Sequence, residues 1–144
     1  LPKYRGGSPI QNQIEMGETN SMVSLFKMNN ELDAGDIYCQ SKFSLEGSLD
    51  DIFCRIVDLG IELTLNILHK NIIPISQDHS KATYFKRRKP SDSEITIQDL
   101  KNKTGLELYN KIRMLEDPYP NAFIKLSDGS KLMIKKAVHI IDGN

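Results

Sequence analysis

The 144-residue sequence predicts an α/β fold, and three observations support this prediction. Residues 22–28 and 37–45 are rich in strand-forming side chains and flank a polar loop, which predicts two antiparallel strands. Residues 49–69 carry apolar side chains at helical spacing, which predicts one long amphipathic helix. Asp128 and Gly129 lie between two alternating apolar runs, which predicts a β-hairpin near the carboxyl end.

A short helix is predicted ahead of the first strand. Ser8 is a suitable N-cap, and Pro9 suits the first helical position, where no backbone donor is needed. Ile10 and Ile14 have the i, i+4 spacing that places two side chains on one helix face. Gly17 is expected to end this helix.

Capping boxes and prolines mark the ends of two further helices. Ser48 and Asp51 form a loose capping box ahead of the long helix, and Thr104 and Glu107 form a standard one ahead of a later helix. The prolines in residues 117–120 stop that later helix, because proline lacks a backbone donor and restricts the residue before it.

A change of composition after the long helix divides the chain into two predicted units. Residues 71–88 lose the helical periodicity and end in a basic cluster, which predicts a linker with a short extended piece. We expect residues 1–72 to be the end of one domain and residues 73–80 to be a linker. Residues 81–144 are then a small second domain, mostly β with one helix.

Composition argues against several classes of function. The 19 basic and 19 acidic residues balance, so the net charge does not favour binding to nucleic acid or to an anionic membrane. No apolar run approaches the roughly 20 residues that a membrane helix needs. Cys39 and Cys54 lack metal-ligand spacing and the three histidines are far apart, so no metal site is expected. These features are typical of a soluble cytoplasmic protein with reduced thiols.

Three segments are candidates for chemistry, and each has a plainer alternative. The loop 29–36 holds three carboxylates beside a glycine and could orient a general base, or it is an ordinary hairpin loop. Residues 3–7 could cradle an anion with backbone N–H groups, or they form a simple turn. Residues 86–89 could bind phosphate or RNA, or they form an exposed basic loop.

Taken together, these segments resemble a known family. LPKYRGGSPI at residues 1–10, GE at 17–18 and ELDAGDI at 31–37 have the order and spacing found in the N10-formyltetrahydrofolate-dependent formyltransferases. ATYFKRRKPSDSEI at residues 82–95 and DPYPNAF at 117–123 resemble the linker and the small C-terminal domain of the same family. The resemblance therefore covers nearly the whole chain.

The resemblance implies a fold and a reaction. The fold would be the C-terminal part of a Rossmann-like formyltransferase domain, followed by a small OB-like β domain with one helix. The reaction would be transfer of a formyl group from N10-formyltetrahydrofolate to a primary amine. Of the family's catalytic Asn, His and Asp, only the Asp has a match here, Asp33, and the other two are expected upstream of Leu1. The chain is then expected to be an inactive portion of a longer enzyme.

The resemblance also implies roles for particular residues. Asp33 would hold the catalytic histidine and organise a water molecule that relays protons. Residues expected beside the folate are Leu1, Pro2, Asn29, Asn30, Glu31 and Leu32. Residues expected to contact the acceptor substrate are Arg5, Arg87 and Arg88.

The acceptor amine is the least defined part of the resemblance. Residues 87–93 and 117–123 look closer to enzymes that act on nucleotide-linked amino sugars, and residues 81–144 have only a modest excess of basic residues. We therefore expect a nucleotide-linked amino sugar as the substrate. The alternative is methionyl-tRNA formyltransferase, and a second alternative is a non-catalytic fragment or interaction module. A homodimer is left open.

Overall fold

The computed structural model describes residues 1–141 as a chain of short strands and helices around one long helix. The strands are β1 (Arg5–Gly6), β2 (Asn20–Phe26), β3 (Ile37–Ser44), β4 (Tyr84–Phe85), β5 (Ala122–Lys125) and β6 (Lys131–Ile134). The α-helices are α1 (Pro9–Glu15), α2 (Leu49–His69), α3 (Ile97–Asn102) and α4 (Gly105–Arg113). Two 3₁₀ turns lie at His79–Lys81 and Pro90–Ser93.

The predicted antiparallel strands form the hairpin β2–β3, with Asn20 opposite Ser44 and Ser24 opposite Gln40. The first strand ends earlier than predicted, because the register shifts at Phe26 and the chain turns into the loop. The α/β class is confirmed by this hairpin together with α2, whose bounds agree with the prediction. A two-residue parallel pairing of β1 with β4, which the sequence did not indicate, joins the start of the chain to residues 84–85.

Helix α2 begins where its capping box predicts. The Ser48 hydroxyl accepts from the Asp51 N–H, and the Asp51 carboxylate accepts from the Ser48 N–H. One side of the helix buries Leu49, Ile52 and Leu63 against the remainder of the protein. Among residues 1–141, no helix is both long and apolar enough to cross a membrane.

The carboxyl-terminal unit contains more helix than predicted. The capping box of Thr104 and the β5–β6 hairpin are confirmed, but a second helix, α3, precedes α4. Helix α3 begins at a capping box made by Thr96 and Asp99. The expectation of a mostly β unit with one helix is therefore wrong for residues 81–141, where the hairpin β5–β6 is accompanied by two helices. The small OB-like barrel is not seen in this part of the chain.

The two predicted units share one apolar core. Its buried side chains come from both sides of the predicted boundary and are Ile14, Phe43, Leu45, Ile52, Ile95, Ile112, Met114, Leu115 and Ala122. Polar contacts also join the two units. Arg113 Nη1 donates to the Leu45 and Gly47 carbonyls at 2.7 and 3.1 Å. The Leu49 N–H also donates to the Glu116 carboxylate at 2.9 Å.

The segment predicted as a linker, residues 73–80, is packed against the first unit. Ile75 and Ile37 exchange two backbone hydrogen bonds of 2.8 Å. Gln77 is 6% exposed and lies beneath the loop that follows β2. This segment therefore contributes contacts to the region where the candidate site lies.

Candidate active site

Asp33 lies in the loop between β2 and β3 and faces the first turn of the chain. Its Oδ2 accepts a 2.8 Å hydrogen bond from the Gly6 N–H. Its backbone φ is 53°, in the left-handed region that non-glycine residues seldom adopt. Oδ1 of Asp33 has no hydrogen-bond partner within residues 1–141. One carboxylate oxygen is thus anchored, and the other remains available for a substrate or a water molecule.

Gly35 allows the loop to close in this form. A Cβ at this position would lie 2.8 Å from the carbonyl carbon of Lys27 and closer still to its oxygen. Any other residue would push the two ends of the loop apart. The Lys27 N–H also donates to the Asp36 carbonyl at 2.8 Å, so the loop is pinned at its base.

The turn at residues 3–7, a candidate anion cradle, uses its N–H groups within the protein. The Tyr4 and Arg5 N–H groups donate to the Thr83 hydroxyl and carbonyl, each at 2.8 Å. The Gly7 N–H donates to the Phe85 carbonyl at 2.9 Å. The Gly6 N–H is bound to a carboxylate, that of Asp33. The anion that this turn holds is therefore a side chain of the same chain.

A cavity of about 510 Å³ opens beside Asp33. Its apolar lining consists of Leu1, Pro2, Ile10, Met22 and Phe26, with Pro9 and the Tyr4 ring nearby. Its charged lining residues are Lys3, Glu18, Asp33 and Lys81. The structure thus brings together three of the residues singled out from the sequence, Leu1, Pro2 and Asp33. The other four expected folate neighbours, residues 29–32, are exposed and lie outside this lining.

Sequence reasoning missed the wall that β2 contributes. Met22, Ser24 and Phe26 alternate along the strand and so face the cavity together. The alternation was visible in the sequence, but it did not indicate which face of β2 would pack against the first residues of the chain. Gln40 links this face of β2 to the start of the chain, because its side-chain amide donates to the Leu1 carbonyl at 3.0 Å and to the Ser24 hydroxyl at 2.6 Å.

Tyr4 and Glu18 form a polar pair on the cavity wall that the sequence did not indicate. The Tyr4 hydroxyl donates to Glu18 Oε1 at 3.0 Å, and the Tyr4 ring stacks on Phe85 with centroids 5.2 Å apart. Partial burial, and then the hydrogen bond to Glu18, raise the pKa of the Tyr4 hydroxyl. The pair thus presents a neutral phenol and a carboxylate to the cavity.

The three arginines expected to contact the acceptor have different surroundings. Arg5 is fully buried, and its guanidinium donates to Gln77 Oε1 at 2.7 Å and to the Tyr84 hydroxyl at 2.8 Å. Arg88 pairs with the Glu15 carboxylate and is half-buried. These placements differ from the expectation, since both side chains are occupied in contacts within the protein. Only Arg87 of the three is exposed.

Other expectations about side-chain chemistry concern metals and thiols. Cys39 and Cys54 are both free, but neither is a core residue, since Cys39 is half-buried and Cys54 is exposed. Within residues 1–141, no group of His, Cys, Asp and Glu side chains is arranged to hold a metal ion.

Comparison with known proteins agrees with the resemblance seen in the sequence. Residues 1–62 match the formyl transferase family. The chain is 37% identical over 131 residues to the methionyl-tRNA formyltransferase of Thermotoga maritima, covering 86% of this chain and 41% of that protein. The chain thus spans about two fifths of the length of such curated relatives.

One solved structure supports the same family, and a second shares the fold. The methionyl-tRNA formyltransferase of Clostridium thermocellum superposes with a TM-score of 0.79 at 35% identity, over 99% of this chain and 66% of that one. An N-formyltransferase from Helicobacter canadensis, solved with folinic acid and dTDP-3-aminofucose, superposes with a TM-score of 0.66. That similarity covers 79% of this chain and 44% of that one at 24% identity, which is a likeness of fold alone. The chain belongs to the formyl transferase family.

Proposed function

We propose that the complete polypeptide containing this chain transfers a formyl group from N10-formyltetrahydrofolate to the amino group of methionyl-tRNA. The observation that carries this proposal is the Asp33 carboxylate, held by the Gly6 N–H at the wall of a 510 Å³ cavity. Similarity to methionyl-tRNA formyltransferases, over 86% of the chain in one case and 99% in another, supports the choice of acceptor.

The cavity fits the proposed formyl donor in size and in lining. Small-molecule sites commonly measure about 300–1,000 Å³ and combine apolar walls with a few polar groups. Here Leu1, Pro2, Met22 and Phe26 supply apolar walls for a flat ring, and Asp33 supplies a carboxylate. The donor, when bound, would supply the formyl group.

Asp33 would organise proton movement during the reaction. A primary amine that attacks a formyl carbon must lose a proton, and a fixed carboxylate can orient the group or the water that takes it. Asp33 is suited to this because the Gly6 N–H fixes Oδ2, while Oδ1 has no partner within residues 1–141. The Asn and His that complete the family's trio are not matched within this chain, so we propose that they belong to the upstream part of the complete polypeptide.

We propose methionyl-tRNA as the acceptor in place of the nucleotide-linked amino sugar that the sequence favoured. The segments behind that preference make internal contacts: Arg88 pairs with Glu15, and the Ser93 hydroxyl donates to the Pro120 carbonyl at 2.9 Å. Such contacts explain the presence of these segments without an acceptor. Three proteins that share more than 30% identity with this chain carry the name methionyl-tRNA formyltransferase, which supports the tRNA acceptor.

An acceptor competition tests this proposal. The complete polypeptide from the native gene would be incubated with N10-formyltetrahydrofolate and either methionyl-tRNA or a nucleotide-linked 4-amino sugar. We expect formylation of methionyl-tRNA and none of the sugar. Formylation of the sugar alone would reverse the choice of acceptor, and no transfer to either would support a non-catalytic module.

A further inference from the structure

A buried polar network lies directly beneath the Asp33 loop. Gln77 is 6% exposed, and its side-chain Nε2 donates to the carbonyl oxygens of Asp33 and Gly35 at 3.0 and 2.6 Å. Gln77 is separated from these residues by more than 40 positions and lies in the segment that the sequence indicated as a linker. A single amide therefore holds the backbone on both sides of Ala34.

The opposite end of the Gln77 amide is fixed by a buried cation. Gln77 Oε1 accepts from Arg5 Nη2 at 2.7 Å, and Arg5 Nη1 donates to the Tyr84 hydroxyl at 2.8 Å. A guanidinium has only donors and a backbone carbonyl has only acceptors, so the orientation of the amide is determined. Its oxygen must face Arg5, and its NH₂ group must face the loop.

We propose that Gln77 is a positioning residue, which acts by holding Asp33 in its left-handed backbone conformation. This inference rests on the proposed function of Asp33. A left-handed conformation is unfavourable for a residue with a Cβ and persists where surrounding contacts impose it. The two hydrogen bonds from Gln77 are such contacts, because they fix the carbonyl of Asp33 itself and that of Gly35.

The same network also locates the partner of the Asp33 carboxylate. Gly6, whose N–H binds Asp33 Oδ2, directly follows Arg5 in the chain. Gln77 therefore ties the loop that carries the carboxylate to the strand that carries its donor. Without this tie, loop and strand would be free to separate, and displacements of roughly 1 Å in a catalytic group can lower rates about 100-fold.

Steady-state kinetics of the complete polypeptide with Gln77→Met test the proposal. Methionine keeps the length and volume of the side chain but removes both donors and the acceptor. We expect kcat for formyl transfer to fall about 10- to 100-fold, with little change in KM for methionyl-tRNA. The matched control is Asn121→Ala, which removes another buried amide that donates to a backbone carbonyl, that of Leu115 at 2.8 Å. This control should leave kcat unchanged.

A double-mutant cycle separates positioning from a purely structural role. If Gln77 acts through Asp33, Gln77→Met should have almost no further effect on kcat once Asp33→Asn is present. Additive effects of the two substitutions, or a normal kcat in Gln77→Met, would overturn the inference. If Asp33→Asn alone leaves kcat intact, the proposed function fails and the inference fails with it.

A second variant covers the case in which Gln77→Met does not fold. Gln77→Glu keeps an acceptor for Arg5 but places a carboxylate against the carbonyls of Asp33 and Gly35, which repel it. We expect this variant to fold with a reduced kcat. A folded Gln77→Glu protein with normal kcat would contradict the proposal, since it lacks the donors on which the loop depends.

Discussion

Substitution of Gly35 by alanine should disturb the candidate site more than its small size suggests. The added Cβ would lie 2.8 Å from the Lys27 carbonyl carbon and closer still to the oxygen, whereas real Cβ atoms essentially never approach within 3.0 Å. Both partners are backbone, so neither can rotate away. The two ends of the loop must therefore separate by roughly 1 Å or more.

This separation has two measurable consequences. It would disrupt the hydrogen bond from Gln77 to the Gly35 carbonyl and shift Asp33, which lies two residues away. We expect kcat for formyl transfer to fall about 100-fold. We also expect the free energy of unfolding to fall by about 1–3 kcal/mol, the usual cost of forcing extra volume into a packed position. Steady-state assays and urea denaturation of the complete polypeptide would measure both.

Gly60→Ala is the matched control for this prediction. Gly60 lies within α2, and a Cβ there has no atom within 4 Å among the described residues. Alanine should leave kcat unchanged and stabilise the helix by roughly 0.5–1 kcal/mol. If Gly35→Ala behaves like Gly60→Ala, the close approach of the loop to Lys27 does not govern the site.

Three further predictions concern stability, each measured by urea denaturation. Arg113→Ala removes two hydrogen bonds between the units and should lower the free energy of unfolding by about 2 kcal/mol; an unchanged value would argue against this coupling. Thr104→Ala removes the α4 N-cap and should cost about 1 kcal/mol, whereas no cost would mean that the cap is dispensable. The Thr96 backbone N–H, and then Lys103, hold the pKa of Asp99 well below its usual range. The stability that this lowered pKa contributes is fully present above about pH 4 and is lost as the pH falls through the folded pKa. In Asp99→Asn, the free energy of unfolding should therefore fall less steeply as the pH is lowered. An equally steep decline in the variant would contradict it.

Local signals in the sequence were sufficient for the long helix and for both hairpins. The capping box of Ser48 and the helical spacing that follows specify α2 from neighbouring residues alone, without help from the remainder of the fold. The same holds for the turn at Asp128 and Gly129 between β5 and β6.

Contacts between distant residues could not be predicted in this way. The pairing of β1 with β4 involves two residues on each strand, which is too short for any periodic pattern. Arg5 and Gln77 are polar residues that are buried together and joined by a hydrogen bond across 72 positions. The acceptor contact expected for Arg5 came from the family resemblance, and the linker around Gln77 was predicted from the loss of helical periodicity. Neither signal indicates that two polar side chains will be buried together, because Arg and Gln are mostly exposed in proteins.

The candidate site was predicted in part. The resemblance to formyltransferases indicated Asp33, and Leu1 and Pro2 line the same cavity as Asp33. The loop residues 29–32 lie outside that lining, because the tip of the hairpin connection turns toward the surface. Only the three-dimensional arrangement shows that Tyr4, Glu18 and the inner face of β2 complete the wall.

The catalytic role proposed for Asp33 is tested most directly by the kcat for methionyl-tRNA formylation by the complete polypeptide carrying Asp33→Asn. Asp36→Asn is the control, because Asp36 lies in the same loop but does not line the cavity. We predict a loss of roughly 10²- to 10⁴-fold for Asp33→Asn, the usual range for a proton-handling group, and a normal rate for Asp36→Asn. Equal rates in the two variants would contradict the account.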